Sequence, residues 1–120
     1  MWERLTKFFN NAEAKVTADK YFEICEQMGA EPDPQKIPVE WKDLPNIVQI
    51  SISIFNMLGD RLVADIGYLG KDYSNLTELI KAYEIEDTEL FLELINWLDS
   101  RAINQSAEYM KRERDKLKRK

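Results

Sequence analysis

"PNIVQISISIFNML", residues 45 to 58, decides whether this chain is read as helical or mixed. Val48, Ile50, Ile52 and Ile54 alternate like a strand, whereas Ile47, Ile50, Ile54, Phe55 and Leu58 fit one face of a helix equally well. Three features select the helix. Asp43 is placed to cap it, Pro45 suits a first turn, and no other segment offers a convincing partner strand. The stretch is therefore read as a central buried helix, apolar on most sides. The expectation is an all-α single domain of four to five helices over residues 1 to 110, followed by a basic tail at 111 to 120.

Immediately beyond lies "GDRLVADIGYLGKDYSNL", residues 59 to 76, with three of the four glycines and a Gly-Lys pair. A phosphate-binding loop needs Gly, four residues, then Gly-Lys-Ser/Thr, so that amides cradle phosphate and a hydroxyl holds magnesium. Here Asp65 stands where the first glycine belongs and Asp72 follows Lys71, and an aspartate would repel phosphate. The dinucleotide fingerprint also fails, because no βαβ unit surrounds the glycines. Gly67 and Gly70 are read instead as turns that reverse the chain after the central helix. Tyr68, Leu69 and Tyr73 crowd around them, and are either core closure or a partner surface. Asp60, Asp65 and Asp72 match no EF-hand spacing and are read as solvated turn acids.

Further on, Ser74 or Asn75 can cap a helix containing Leu76, Leu79, Ile80 and Tyr83, and Asn75 with Glu78 has capping-box spacing. Asp87 then caps the longest helix, striped by Leu90, Phe91, Leu94, Ile95, Leu98 and Ala102. No Gly or Pro interrupts 88 to 120, so this helix can run about 30 residues, roughly 45 Å. Glu84, Glu86, Asp87, Glu89 and Glu93 make an acidic patch at its start, where the helix dipole favours acids.

Toward the N-terminus, all four prolines fall in "EPDPQKIPVEWKDLP", 31 to 45, an extended segment expected to cross the helices. Before it, Thr17 caps a helix over 18 to 28 that ends at Gly29, with Val16 and Tyr21 at staple positions. Tyr21, Ile24, Cys25 and Met28 share a face, so the lone cysteine reads as core filler. In "MWERLTKFFNNAEAK", Trp2, Leu5, Phe8 and Phe9 pattern a short amphipathic helix. Its aromatics dock on the chain's own core, or anchor into a partner's groove or a membrane surface, and the small net charge of the first fifteen residues disfavours the membrane. The charges at Glu3, Arg4 and Lys7 exclude a signal-peptide apolar region, and no segment reaches the roughly 20 apolar residues of a membrane span.

Composition narrows the chemistry. With no histidine and one cysteine, neither His/Cys zinc sites nor histidine-based catalytic triads can form. No catalytic residue, cofactor or metal site is assigned, and the chain is read as no enzyme. The net charge of −5 conceals a split: residues 1 to 110 carry 10 basic against 20 acidic side chains, and residues 111 to 120 carry 7 against 2. Lys111, Arg112, Arg114, Lys116, Lys118, Arg119 and Lys120 suit nucleic acid or another acidic surface electrostatically. The acidic body could alternatively imitate nucleic acid and inhibit a host protein.

The succession "FEICEQMGAEPDPQKIPVEWKDLPNIVQ", "FNMLGDR", "GYLGKDYSNL", "YEIED" and "LFLELINWLDS" resembles small uncharacterised helical proteins of tailed-phage genomes, of the large myovirus type, over residues 21 to about 100. The resemblance implies the cytoplasm of an infected bacterium, or a virion, as the setting, and supplies no catalytic residues. The resulting expectation is a non-enzymatic protein-interaction module, an assembly or accessory factor or minor virion component. It would bind a phage or host protein, with homo-oligomers open and no membrane. Candidate partner-binding residues are Trp2, Phe8, Phe9, Tyr68, Leu69 and Tyr73, together with the seven basic tail residues.

Overall fold

Residues 1–14, 17–34 and 36–118 are described in a computed structural model. Their element order is α1 (Trp2–Ala14), α2 (Ala18–Met28), a single 3-10 turn (Trp41–Asp43), α3 (Asn46–Met57), β1 (Asp60–Val63), β2 (Gly67–Lys71), α4 (Leu76–Ala82) and α5 (Thr88–Lys118). The chain divides into two compact units, Met1–Gln49 and Ile50–Lys120.

In the first unit, side chains satisfy the helix ends that the backbone leaves open. The Thr17 hydroxyl accepts the Lys20 N–H at 3.2 Å, and Gly29, at φ 66°, closes α2 in a left-handed cap that an L side chain would strain. The expected Val16 staple lies outside the described residues. Two long-range bonds tie the proline-rich segment to α2: Glu40 Oε1 accepts the Ala18 N–H at 3.1 Å, and the Tyr21 hydroxyl accepts the Asp33 N–H at 3.1 Å. Asp43 does not cap α3. Its carboxylate turns back to accept the Glu40 N–H at 3.0 Å, closing a capping box around the 3-10 turn. Leu5, Cys25, Leu44 and Val48 are buried in this unit.

The helical reading of 45 to 58 holds: α3 occupies Asn46–Met57. Within the second unit Ile52, Ile54 and Leu58 are buried, as are Phe91, Leu94, Ile95 and Leu98 of α5. Asp87 caps α5 as expected, accepting the Leu90 N–H at 3.1 Å. At α4, however, Asn75 occupies the cap position without a side-chain bond. The Asp72 carboxylate takes the neighbouring donors, the Ser74 N–H at 2.9 Å and its hydroxyl at 2.5 Å.

The chain is mostly helical but not purely so, because β1 and β2 pair antiparallel in a two-stranded sheet. Neither strand pairs with 45 to 58; the two partner each other inside the glycine-bearing loop. Gly67 and Gly70 are consequently not the reversal itself. That falls at Ala64–Ile66, where the Ile66 N–H reaches the Val63 carbonyl at 3.2 Å and Asp65 adopts φ 69°, a conformation aspartate tolerates better than most residues. Both glycines lie within β2 at positive φ. A Cβ on Gly67 would sit 3.0 Å from Ser106 Oγ, and one on Gly70 would sit 3.2 Å from an Asp99 oxygen. They are the positions at which β2 approaches α5.

Candidate functional site

The hairpin is built on one buried carboxylate. Asp99 lies on α5 and is only 5% exposed. Its Oδ1 accepts the Tyr68 hydroxyl at 2.5 Å, and its Oδ2 accepts the Lys71 backbone N–H at 3.2 Å and the Tyr73 hydroxyl. Farther along α5, Ser106 Oγ accepts the Tyr68 N–H at 3.2 Å. A strand edge normally finds its acceptors on another strand; here α5 side chains supply them.

Burial alone would raise the Asp99 carboxyl. The bonds from Tyr68 and Tyr73, the Lys71 N–H and the Lys71 charge reverse this and hold it below its ordinary 3.8, because donors to the ionised form stabilise it. The same geometry raises both phenols well above 10. Burial is the leading cause for each, and the bond to Asp99 then retains the proton.

Lys71 is the second buried charge. Its Nζ donates to Asp60 Oδ1 at 2.6 Å and the Leu58 carbonyl at 3.3 Å, and lies 4.7 Å from the centre of the Phe55 ring. The glycine-lysine pair that suggested phosphate thus spends its cation inside the protein. Asp72 is held below its ordinary value, chiefly by the two Ser74 bonds. Among the described residues no group of three or more His, Cys, Asp or Glu side chains could hold a metal ion. None of their helices is long and apolar enough to cross a membrane.

The outer side of the hairpin contrasts with this knot. Leu62 is 70% exposed and Ile66 60%, and Val63 and Leu69 are exposed as well. Arg61 folds back so that Nη2 donates to the Leu69 carbonyl at 3.1 Å. The result is an apolar rim on a hairpin whose other edge is fastened to a helix.

Of the sequence candidates, Tyr68, Leu69 and Tyr73 therefore come together, but with different roles. The tyrosines bind Asp99, and Leu69 belongs to the rim. Trp2 is exposed in the first unit; Phe8 and Phe9 are half-buried, their rings 5.3 Å apart, with Phe8 also 6.1 Å from Trp41. An open groove of about 390 Å³ in that unit is lined by Arg4, Lys7, Ile37 and Pro38, among others. Lys111, Arg112, Arg114, Lys116 and Lys118 are exposed on the last turns of α5, which continues through most of the expected tail. Arg119 and Lys120 lie outside the described residues.

Sequence reading missed Asp99, Lys71 and Ser106 as a set. One signal was present: Asp99 stands four residues after Ile95 and four before Ile103, a lone acid on the apolar stripe of α5. A charge at such a position demands partners, and the nearest tyrosine-rich segment supplies them. No protein-family model, curated protein or solved structure matches this chain.

Proposed function

We propose that this chain is a non-enzymatic protein-interaction module that presents its hairpin to a protein partner, acting as an assembly or accessory factor, or minor virion component, of a tailed phage. The observation that carries the reading is the rim of Leu62, Val63, Ile66 and Leu69, exposed on a hairpin fastened from behind by Asp99 and Ser106. Apolar side chains on a pre-ordered element favour association, because little entropy remains to be lost on binding. The non-enzymatic part rests on Asp99. The acid that would be the natural candidate for proton transfer is engaged by three donors, and its phenol neighbours are held protonated. The phage setting rests on the sequence resemblance alone.

The test is affinity capture from phage-infected cells with the wild-type chain and with a Leu62→Lys/Ile66→Lys variant. The expected result is a discrete partner retained by the first and lost by the second. Identical capture by both, or none by either, overturns the reading.

A second reading has its own observation: Lys111, Arg112, Arg114, Lys116 and Lys118 are all exposed on an ordered helix. In this reading the end of α5 contacts phosphate, and binding to DNA or RNA falls steeply with salt. Charge reversal of Lys111, Arg114 and Lys118 abolishes that binding; nucleic-acid binding that survives the reversal, or is absent from the wild type, sinks it.

A further inference from the structure

We infer that the outward stripe of α5 seats a second copy of this chain, the two α5 helices lying side by side and antiparallel in a homodimer. The inference goes beyond the hairpin reading, because it uses another face of the molecule and neither depends on the other.

The need for a neighbour comes first. α5 runs from Thr88 to Lys118, about 45 Å at 1.5 Å per residue. Its anchors Phe91, Leu94, Ile95 and Leu98 are buried in the first half. The hairpin then holds it through Asp99 and Ser106 and reaches as far as Met110, which a Cβ on Gly67 would meet at 3.2 Å. From Lys111 to Lys118 every residue but Glu113 is exposed, Leu117 to 71%. A helix polar on all sides is supported by charge pairs along itself or by a neighbour. Among the described residues these last turns carry a single ion pair, Lys116 with Glu113 at 3.4 Å.

Charge selects a second copy as that neighbour. Residues three or four apart share a helix face, and one such line along α5 is exposed from end to end. It begins with Glu89 and Glu93, passes the small Ser100 and Ala107, and ends with Lys111, Arg114 and Lys118. A helix dipole draws acids to its start and bases to its finish, but only over the first and last turns. Glu93, Lys111 and Arg114 stand inside those turns, so the dipole does not account for them. An antiparallel copy does. With a two-fold axis between Ile103 and Asn104, Glu89 meets Lys118 of the second copy, Glu93 meets Arg114, and Ser100 meets Ala107. The axis repeats each pair, as an isologous interface requires, whereas a parallel pairing in register sets like charges together. Small side chains near the middle allow the helices to approach to about 8 to 10 Å. Asp99 and Ser106, which hold the hairpin, lie roughly 100° around the helix from this line, so the hairpin leaves it open. Exposed ion pairs contribute little individually; the dimer is expected to be weak and to loosen with salt.

The test uses the full chain at low ionic strength. Sedimentation over a concentration series is expected to approach twice the mass of one chain, and self-association to weaken about tenfold or more as salt rises to about 0.5 M. Two charge-reversed chains carry the decision, Glu89→Lys/Glu93→Lys and Lys111→Glu/Arg114→Glu/Lys118→Glu. Each alone is expected to be monomeric with a helical circular-dichroism spectrum. Mixed one to one, they are expected to recover the dimer, because each now presents a single sign of charge to the other. Orientation is read by cross-linking in a Cys25→Ser background. Asn104→Cys, beside the axis, is expected to form an intermolecular disulfide under a mild oxidant, and Lys118→Cys, roughly 40 Å from its mate, is expected not to. A wild-type monomer at every concentration, a reversed chain that still self-associates, mixed chains that stay apart, or equal cross-linking at both positions overturns the inference. Binding of DNA or RNA by a wild-type monomer, lost with the basic reversal, gives the stripe a different occupant and overturns it too. Leu62→Lys/Ile66→Lys is expected to leave this dimer intact, so its effect on partner capture bears on the hairpin reading alone.

Discussion

The two edges of one hairpin are treated in opposite ways. The outer amides of β2 are taken up by Asp99 and Ser106 of α5, whereas β1 has no further neighbour in the sheet among the described residues and exposes Leu62 and Val63. A helix has replaced the third strand on one side only. The difference shows how a sheet too small to stand alone is stabilised here: a polar clamp fixes β2, and β1 follows through β2. Breaking the clamp is therefore expected to cost much more than altering the rim.

The largest effect is expected from Asp99→Ala. It leaves the Lys71 N–H without an acceptor in a buried site and removes the partner of two phenols, a loss of about 3 kcal/mol of unfolding free energy. Urea titration followed by tryptophan fluorescence measures it; a loss near zero would show that the clamp is dispensable. The same group gives a pH dependence. The folded-state value of Asp99 is depressed below 3.8, so its contribution is present above that value and is lost as pH falls through the depressed one. Tyr68 and Tyr73 are raised above 10, so the stability they supply is present below pH 10 and declines as pH rises beyond it. Asp99→Asn is expected to flatten the acid limb in a stability profile measured from neutral pH downward. An unchanged acid limb in Asp99→Asn sinks the assignment.

Next is Gly70→Ala. At φ 120° an L residue is strained, and the new Cβ would meet the Asp99 oxygen at 3.2 Å and an Arg61 nitrogen at 3.3 Å. A cost of about 2 kcal/mol is expected. Gly59→Ala is the control, because Gly59 has ordinary φ and nothing within 4 Å of the added atom. Equal melting shifts for the two variants would remove the close approach of β2 to α5 as the cause.

Asp60→Ala follows, at about 1.5 kcal/mol. The Lys71 side chain is 10% exposed and the Asp60 side chain 48%, so removing the acid leaves a buried ammonium with the Leu58 carbonyl as its remaining acceptor, beside the Phe55 ring. Lys71→Met is expected to cost less, because the orphaned Asp60 can rehydrate and the methionine stem keeps the Phe55 contact. If chemical denaturation ranks the two variants the other way round, the ammonium is not the buried partner.

The same asymmetry explains what could be read from the sequence. Period and caps gave α2, α3 and α5, since Thr17, Gly29 and Asp87 act within a turn or two of themselves. The hairpin was hidden because its strands are four and five residues long, β2 is bulged where Leu69 and Gly70 oppose Arg61, and β2 draws stability from a helix nearly 30 residues away. Asp43 and Asn75 had the right residue types for caps, yet the first was captured by Glu40 and the second makes no side-chain cap bond. Local rules do not arbitrate between competing neighbours. Asp99 was the exception that the pattern could have exposed, an acid on an apolar stripe.

The smallest stability effect is expected at the rim, and it separates stability from association. Leu62→Thr places a β-branched residue, well suited to a strand, at a position 70% exposed, so its unfolding free energy should stay within about 0.5 kcal/mol of wild type. Capture of the protein partner should nevertheless weaken, since an apolar side chain of the rim is lost. A residue that stabilised the hairpin internally would change both measurements together. One serving only a partner changes the second alone, so thermal melting and partner capture with this single variant decide which side of the hairpin Leu62 serves.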